Sequence, residues 1–184
     1  KAFCEGDDYW TDPYKLQKQV DFLDNHPDYI GVVHQINVVD ETGRPKKGFW
    51  DNMYCKDEIC DLSHIQRMIM PGQTSTRVFR NLFNNMPQDI LELYDSCHVV
   101  ADRKLALLLA LHGKVYCMKE KMSCYRWVTD GGTSFNSQMK DKIKFDTYCE
   151  RVNLLSAFAW QAYGVKLDYS HYLKVGMMEI FIRS

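Results

Sequence analysis

The most apolar stretch of this chain, LALLLALHG over residues 105–113, sets the first limit on its fold. A helix that crosses a membrane needs about 20 consecutive apolar residues, and this run is much shorter. We therefore predict a helix buried inside a globular domain and ended by Gly113 ahead of a strand. The composition agrees, because 46% hydrophobic and 13% aromatic residues in a chain of 184 suffice for a core.

The charge balance excludes a general attraction to nucleic acid. The chain has 23 Lys and Arg against 24 Asp and Glu, a formal net charge of -1. No overall field then recruits nucleic acid or an acidic membrane surface, and any anionic ligand must be held locally.

Seven cysteines are scattered along the chain. An odd number, with several inside apolar runs, favours reduced thiols that pack as small hydrophobic groups in a cytosolic setting. Cys55 and Cys60 with His64 have the chemistry of zinc ligands. Their spacing lacks a Cys-x-x-Cys pair and no second pair follows, so the spacing favours packing over zinc binding.

The order of patterns predicts an α/β fold. Capping by Thr11 or Asp12 with Pro13 at the first turn indicates a helix, which leads into a β-branched strand. A helix near 62–70, a strand at QTSTRVFR, two helical pieces, a strand around KVYCM and a further strand at EKMSCYRW follow. Residues after Ser137 have helical spacing up to Gly164. We place a soft boundary near DGGTSFN, so that 1–135 form the α/β part and 136–184 a helical extension.

Glu5, Asp7 and Asp8 concentrate negative charge just ahead of the first predicted helix. Carboxylates at alternate positions, with Gly6 between them, can converge on one hard cation such as Mg²⁺ or Mn²⁺. The alternative is an acidic turn that caps the helix, since carboxylates near a helix N-terminus are stabilising by about 0.3–1 kcal/mol each. Spacing alone does not decide between the two.

Asp102 stands at the head of the apolar helix. A lone Asp in this position is more often an N-cap. The functional alternative is a general base that the buried helix holds rigid.

Two further stretches have residues suited to ligand binding. Arg126 precedes a Gly-Gly turn, and a guanidinium with backbone amides there can hold a diphosphate. Thr74 and Ser75, in GQTSTRVFR, can line an acceptor pocket, although such hydroxyls more often satisfy backbone groups.

The segments CEGDDYWTDPYKLQKQVDFL, QTSTRVFR, ADRKLALLLALHGKVYCMKEKMSCYR and GGTS, in this order, resemble the bacterial family 2 glycosyltransferases of the GT-A fold. The resemblance covers residues 1–135 and lacks the βα units that normally precede the acidic motif. It implies a mixed sheet flanked by helices, part of a Rossmann-like nucleotide-diphospho-sugar transferase. Glu5 stands where the family usually has Asp, and Val128 where it often has His.

By position, the resemblance assigns donor binding to Glu5, Asp7, Asp8 and Arg126. Asp7 and Asp8 would bind Mn²⁺ or Mg²⁺, with Asp8 as a ligand or an orienting group. Asp102 falls where the family has its catalytic base. Thr74 and Ser75 would then contact the acceptor.

The resemblance therefore implies inverting transfer of a sugar from a nucleotide donor, expected to be a UDP-sugar, to a glycan or lipid-linked acceptor. Surface polysaccharide synthesis in the cytoplasm, at the inner face of the membrane, is the expected setting. Aromatic residues of the helical tail are compatible with peripheral membrane contact or a homodimer, besides core packing. The alternatives are a nucleotidyltransferase or a non-catalytic domain of the same fold that binds glycan or a partner protein.

Overall fold

A computed structural model of the chain describes residues 1–46, 54–127 and 145–183. Its centre is a mixed five-stranded sheet built on two long parallel strands, β2 (Tyr29–Val39) and β5 (Lys114–Arg126). Three two-residue strands complete the sheet: β1 (Tyr9–Trp10), β3 (Ile59–Cys60) and β4 (Val78–Phe79). The main strand order is β1-β5-β2-β4, and β3 also pairs with β5. These short strands are antiparallel to their neighbours.

Helices cover both faces of the sheet. Along β2, successive side chains point to opposite faces: Val32 clusters with Leu23 of α1 (Lys15–Asn25), whereas Val33 joins a larger core. That larger core contains α4 (Ala101–His112). The expectation of a mixed α/β fold, with a mixed sheet flanked by helices, is confirmed.

The apolar run lies on α4, where Leu107, Leu108 and Leu109 are each at most 1% exposed. The predicted buried helix is thus confirmed. Its core also takes in side chains of α3 (Gln88–Ser96) and of two C-terminal helices, α5 (Phe145–Tyr163) and α6 (Ser170–Arg183). Among the helices of the described residues, none combines the length and apolar character that crossing a bilayer requires.

Two local predictions differ from the structure. The two strands expected around KVYCM and EKMSCYRW form a single strand, β5. The helix expected near 62–70 is the shorter α2 (Leu62–Gln66), because Met68 takes a left-handed φ of 58° that ends helical geometry. The proposed boundary near DGGTSFN lies outside the described residues.

Candidate functional site

A cleft of about 520 Å³ brings together residues from distant parts of the chain. Its walls include three of the site residues that the sequence singled out: Glu5, Thr74 and Asp102. The remaining lining residues are Phe3, Tyr54, Gln73, Arg77, Phe79, Phe83, Tyr94, Val100, Ala101, Leu105 and Tyr125. The wall is therefore mainly apolar and aromatic, with a small set of polar groups, as in many small-molecule sites.

Asp102 lies in the first turn of α4 but does not act as its N-cap. The cap position is Val100, which supplies no side-chain hydrogen bond. The Oδ1 atom of Asp102 is buried and has no hydrogen-bond partner within 1–46, 54–127 and 145–183. Because a buried carboxylate oxygen without a donor is costly, this atom is suited to an incoming donor such as a ligand hydroxyl.

Arg77 lies under the cleft and was not foreseen from the sequence. Its side chain is buried, its Nε and Nη2 donate to the carbonyl oxygen of Gly72, and its Nη1 donates to the backbone carbonyl of Asp102 over 3.2 Å. Burial lowers the pKa of Arg77, and the nearby Asp102 carboxylate opposes that effect. A cation is thereby fixed next to the head of α4, where it favours negative charge in the cleft.

The acidic residues lie in a turn ahead of β1, closed by a hydrogen bond from the N–H of Asp8 to the carbonyl oxygen of Glu5 (3.1 Å). Asp8 is only 8% exposed. Its Oδ2 accepts from Nε2 of Gln73 at 2.6 Å and its Oδ1 from the backbone N–H of Arg126 at 3.2 Å. Burial raises the pKa of Asp8, and these donors counteract the rise. Of its two predicted roles, the geometry suits the orienting one.

The start of α1 differs from the prediction. The helix begins at Lys15, its N-cap is Tyr14, and no side chain caps it, so the prediction of capping by Thr11, Asp12 or the acidic turn is wrong. The Oδ1 of Asp12 instead accepts from the N–H of Tyr14 at 2.8 Å, within the turn that precedes the helix.

Glu5 and Asp7 are the exposed carboxylates of the turn. Glu5 is exposed as a residue, but its carboxyl group is partly shielded by its neighbours, and this desolvation, together with the charges of Asp8 and Asp7, raises the pKa of Glu5, while a hydrogen bond from Thr74 opposes the rise. Such mutual repulsion is what a bound cation relieves. Exposed carboxylates suit Mg²⁺ or Mn²⁺, but in the described part of the chain the ligand oxygens of Glu5, Asp7 and Asp8 do not all lie within 4.8 Å of one another.

Four predicted residues do not line the cleft: Asp7 and Asp8 of the acidic turn, and Ser75 and Arg126. The hydroxyl of Ser75 is fully buried, donates to Oε1 of Gln73 at 2.5 Å and lies 3.3 Å from that of Ser123. The guanidinium of Arg126 reaches the carbonyl oxygen of Glu41 through Nη1 at 3.5 Å. Ser75 thus holds Gln73, which donates to Asp8, and the backbone N–H of Arg126 donates to Asp8 directly. Both residues stabilise the acidic turn rather than line the cleft.

A second group of potential ligand atoms lies apart from the acidic turn. The sulfur atoms of Cys55 and Cys60 and a ring nitrogen of His64 are within 4.8 Å of one another, and all three residues are buried. The fold thus forms a cluster able to bind a metal ion from residues whose spacing in sequence favoured simple packing.

Comparison with known proteins adds relatives but no function. No family model matches the chain. Over 146 residues it is 32% identical to the uncharacterized proteins Rv1520 of Mycobacterium tuberculosis and Mb1547 of Mycobacterium bovis. The alignment covers 78% of this chain and 38% of each relative, so the chain spans well under half the length of the mycobacterial proteins it matches.

Proposed function

We propose that this chain is part of an inverting, metal-dependent glycosyltransferase of the GT-A type that uses a nucleotide-diphospho-sugar. The single observation that supports this most is the cleft shared by Glu5, Thr74 and Asp102. These residues come from three separate segments, and the resemblance assigns them to donor, acceptor and base. Their meeting in one cleft is what such a reaction requires.

The transfer requires a base next to the acceptor. The buried Oδ1 of Asp102 takes the proton from the acceptor hydroxyl as that oxygen bonds to the anomeric carbon. The bond between the anomeric carbon and the diphosphate oxygen breaks at the same time, and the nucleoside diphosphate leaves with the bonding electrons. Attack from the face opposite the leaving group inverts the anomeric centre.

The acidic turn serves the donor side. We infer that Asp7 and Glu5 would hold Mn²⁺ or Mg²⁺, while Asp8 orients the turn through its hydrogen bonds to Gln73 and Arg126. The cation would supply charge neutralisation of the departing diphosphate. We place the reaction in surface polysaccharide synthesis, with a glycan or lipid-linked acceptor and a cytoplasmic setting.

Calorimetric titration of UDP with and without Mn²⁺ tests the donor side. We expect binding that needs Mn²⁺ and that is lost in Asp7→Ala. Asp24→Ala, an exposed change on α1, is the control and should bind like the unchanged chain. Manganese-independent binding, or equal binding by Asp7→Ala, would contradict the assignment of the acidic turn.

A transfer assay with UDP-sugars tests the base. Asp102→Asn keeps the shape of the side chain but cannot accept the proton, so we expect a loss of turnover of about 10²–10⁴-fold with UDP binding retained. Asp95→Asn, at the end of the neighbouring α3, is the matched control. Binding without turnover in the unchanged chain would instead favour a non-catalytic binding domain.

A further inference from the structure

The cluster of Cys55, Cys60 and His64 has dimensions close to those of a zinc site. Around a tetrahedral zinc ion with Zn–S bonds of about 2.3 Å, two sulfur ligands lie about 3.8 Å apart. The ligand atoms here already lie within 4.8 Å of one another, before any ion draws them together. Small side-chain rotations therefore suffice to form three of the four bonds.

Cys117 is the candidate for a fourth ligand. Strand β3 pairs with β5 so that Cys60 faces Val115. Cys117 is two residues further along β5, so its side chain points to the same face as Cys60. The N–H of Cys117 donates to the carbonyl oxygen of Glu58 at 2.8 Å, and Cys117 lines the same small cavity as Cys55. No sequence pattern predicts this placement of Cys117, because it depends on strand register.

The surroundings of His64 suit a metal-binding imidazole. Its Nδ1 lies 2.9 Å from Oδ1 of Asp61, which is itself fixed by the N–H and hydroxyl of Ser63 at 3.0 and 2.7 Å. A carboxylate that fixes one ring nitrogen typically leaves the other free to bind zinc. Nε2 lies 2.9 Å from Asp57, whose side chain is 74% exposed and can turn into solvent.

The cluster differs from ordinary buried cysteines. Cys97 lies in the core with its sulfur directed at one backbone carbonyl, that of Leu154. At the cluster, two thiols and an imidazole converge from the segment before β3, from β3 and from α2, and Cys117 of β5 lies beside them in the sheet. The imidazole also forms a capping box with Asp61 at the start of α2. A grouping of soft ligands of this kind distinguishes these thiols from Cys97.

We propose that Cys55, Cys60, Cys117 and His64 bind one structural Zn²⁺, with Nε2 as the histidine ligand. Thiolate and imidazole ligands in a closed tetrahedral set favour zinc over the hard cations. A small cavity of about 70 Å³, lined by Cys55 and Cys117, gives the ion a route inward. The ion would cross-link the segment around Tyr54, which lines the cleft, to the central strand β5.

The site is independent of the acidic turn, so its test does not depend on glycosyl transfer. We would purify the chain under reducing conditions, dialyse it against Zn²⁺ and then against buffer, and measure zinc by mass spectrometry. We expect about one zinc per chain, lost in Cys60→Ser and Cys117→Ser and retained in the control Cys97→Ser. Circular dichroism would establish whether each variant is folded.

A cysteine variant of His64 and a change of metal distinguish the loss of a ligand from the loss of zinc through unfolding. Replacing zinc by Co²⁺ should give the visible bands of a tetrahedral ion and a sulfur-to-cobalt charge-transfer band. His64→Cys should keep the metal, since thiolate replaces imidazole, and should strengthen the charge-transfer band by about one-third, from three sulfurs to four.

Three results would overturn the proposal. One is a folded chain that holds no zinc after this treatment. Another is a folded Cys60→Ser or Cys117→Ser variant that holds as much zinc as the unchanged chain. The third is a metal-free chain in which Cys55 and Cys60 form a disulfide even in reductant.

Discussion

Lys15, at the start of α1, is a buried lysine whose charge should cost stability near neutral pH. Its side chain is fully buried, with Nζ 2.8 Å from Oε1 of Gln19 and 4.4 Å from the ring centre of Trp10. Burial lowers the pKa of Lys15 from 10.5 to about 8. A difference of this size corresponds to about 3 kcal/mol between the charged and neutral forms.

The sign follows from proton binding. Between about pH 8 and 10.5 the unfolded chain binds the proton of Lys15 more tightly than the folded chain. The free energy of unfolding therefore rises with pH across this window, and the full cost of the buried charge is present below it. A variant without the amine lacks this dependence.

We would compare the chain with Lys15→Met by urea unfolding from about pH 7 to 10.5. The variant loses the bond to Gln19, about 1 kcal/mol, and the contact with Trp10, about 0.5–2 kcal/mol. Only the unchanged chain gains stability as Lys15 loses its proton. The free energy of unfolding of the variant, relative to that of the unchanged chain, should therefore fall by about 3 kcal/mol from the low to the high end of the range. Subtracting the two curves removes the titration of tyrosines and cysteines, which both proteins share.

Lys18→Met is the matched control. Lys18 lies on the same helix, and its side chain is 44% exposed and pairs with Asp12 on the surface. Its removal should change stability little at any pH, because exposed ion pairs contribute little. A stability difference between Lys15→Met and the unchanged chain that stays constant with pH would refute the reasoning, because it would mean that the ammonium group is solvated.

Three other substitutions test the packing around the cleft. Asp8→Asn places an amide donor where the site needs two acceptors. The free energy of unfolding in urea should therefore fall by about 1.5–3 kcal/mol, whereas the exposed control Asp7→Asn should lower it by less than about 0.5 kcal/mol. Leu108→Ala, in the fully buried face of α4, should cost about 2–5 kcal/mol by the same assay, and a cost below 1 would contradict the packing. Gly72→Ala would place a Cβ 2.5 Å from Oγ1 of Thr76, so thermal unfolding should reveal a loss of about 1–3 kcal/mol; unchanged stability would argue against this close approach.

Local sequence signals predicted the elements whose patterns are self-contained. The apolar run of α4 required burial by its length and composition, and the β-branched residues of β2 required a strand. The interruption expected in β5 arose from the charged residues Lys119, Glu120 and Lys121. In the fold these residues are exposed while the strand continues, with irregular register against β2.

The parts of the candidate site that the sequence missed depend on contacts between distant segments. Arg77 lies in a short stretch of mixed polarity, and only the fold places it against the head of α4. Cys117 looks like one more thiol in an apolar strand until β3 pairs beside it. Asp102, in contrast, could be predicted, because its position at the start of an apolar helix is visible in the local sequence.

The parallel pairing of β2 with β5 also bears on how the chain is made. Gly31 pairs with Val115, so most of the intervening chain must be synthesised before the two central strands can meet. Until then, α1 can pack on one face of β2, but the edge of β2 that pairs with β5 lacks its hydrogen-bond partner. Pairing between strands so distant in sequence makes folding slow and leaves the unpaired edge able to bind other chains. A ribosome-bound chain that ends before residue 114 should therefore bind chaperones, and release should follow once β5 has emerged.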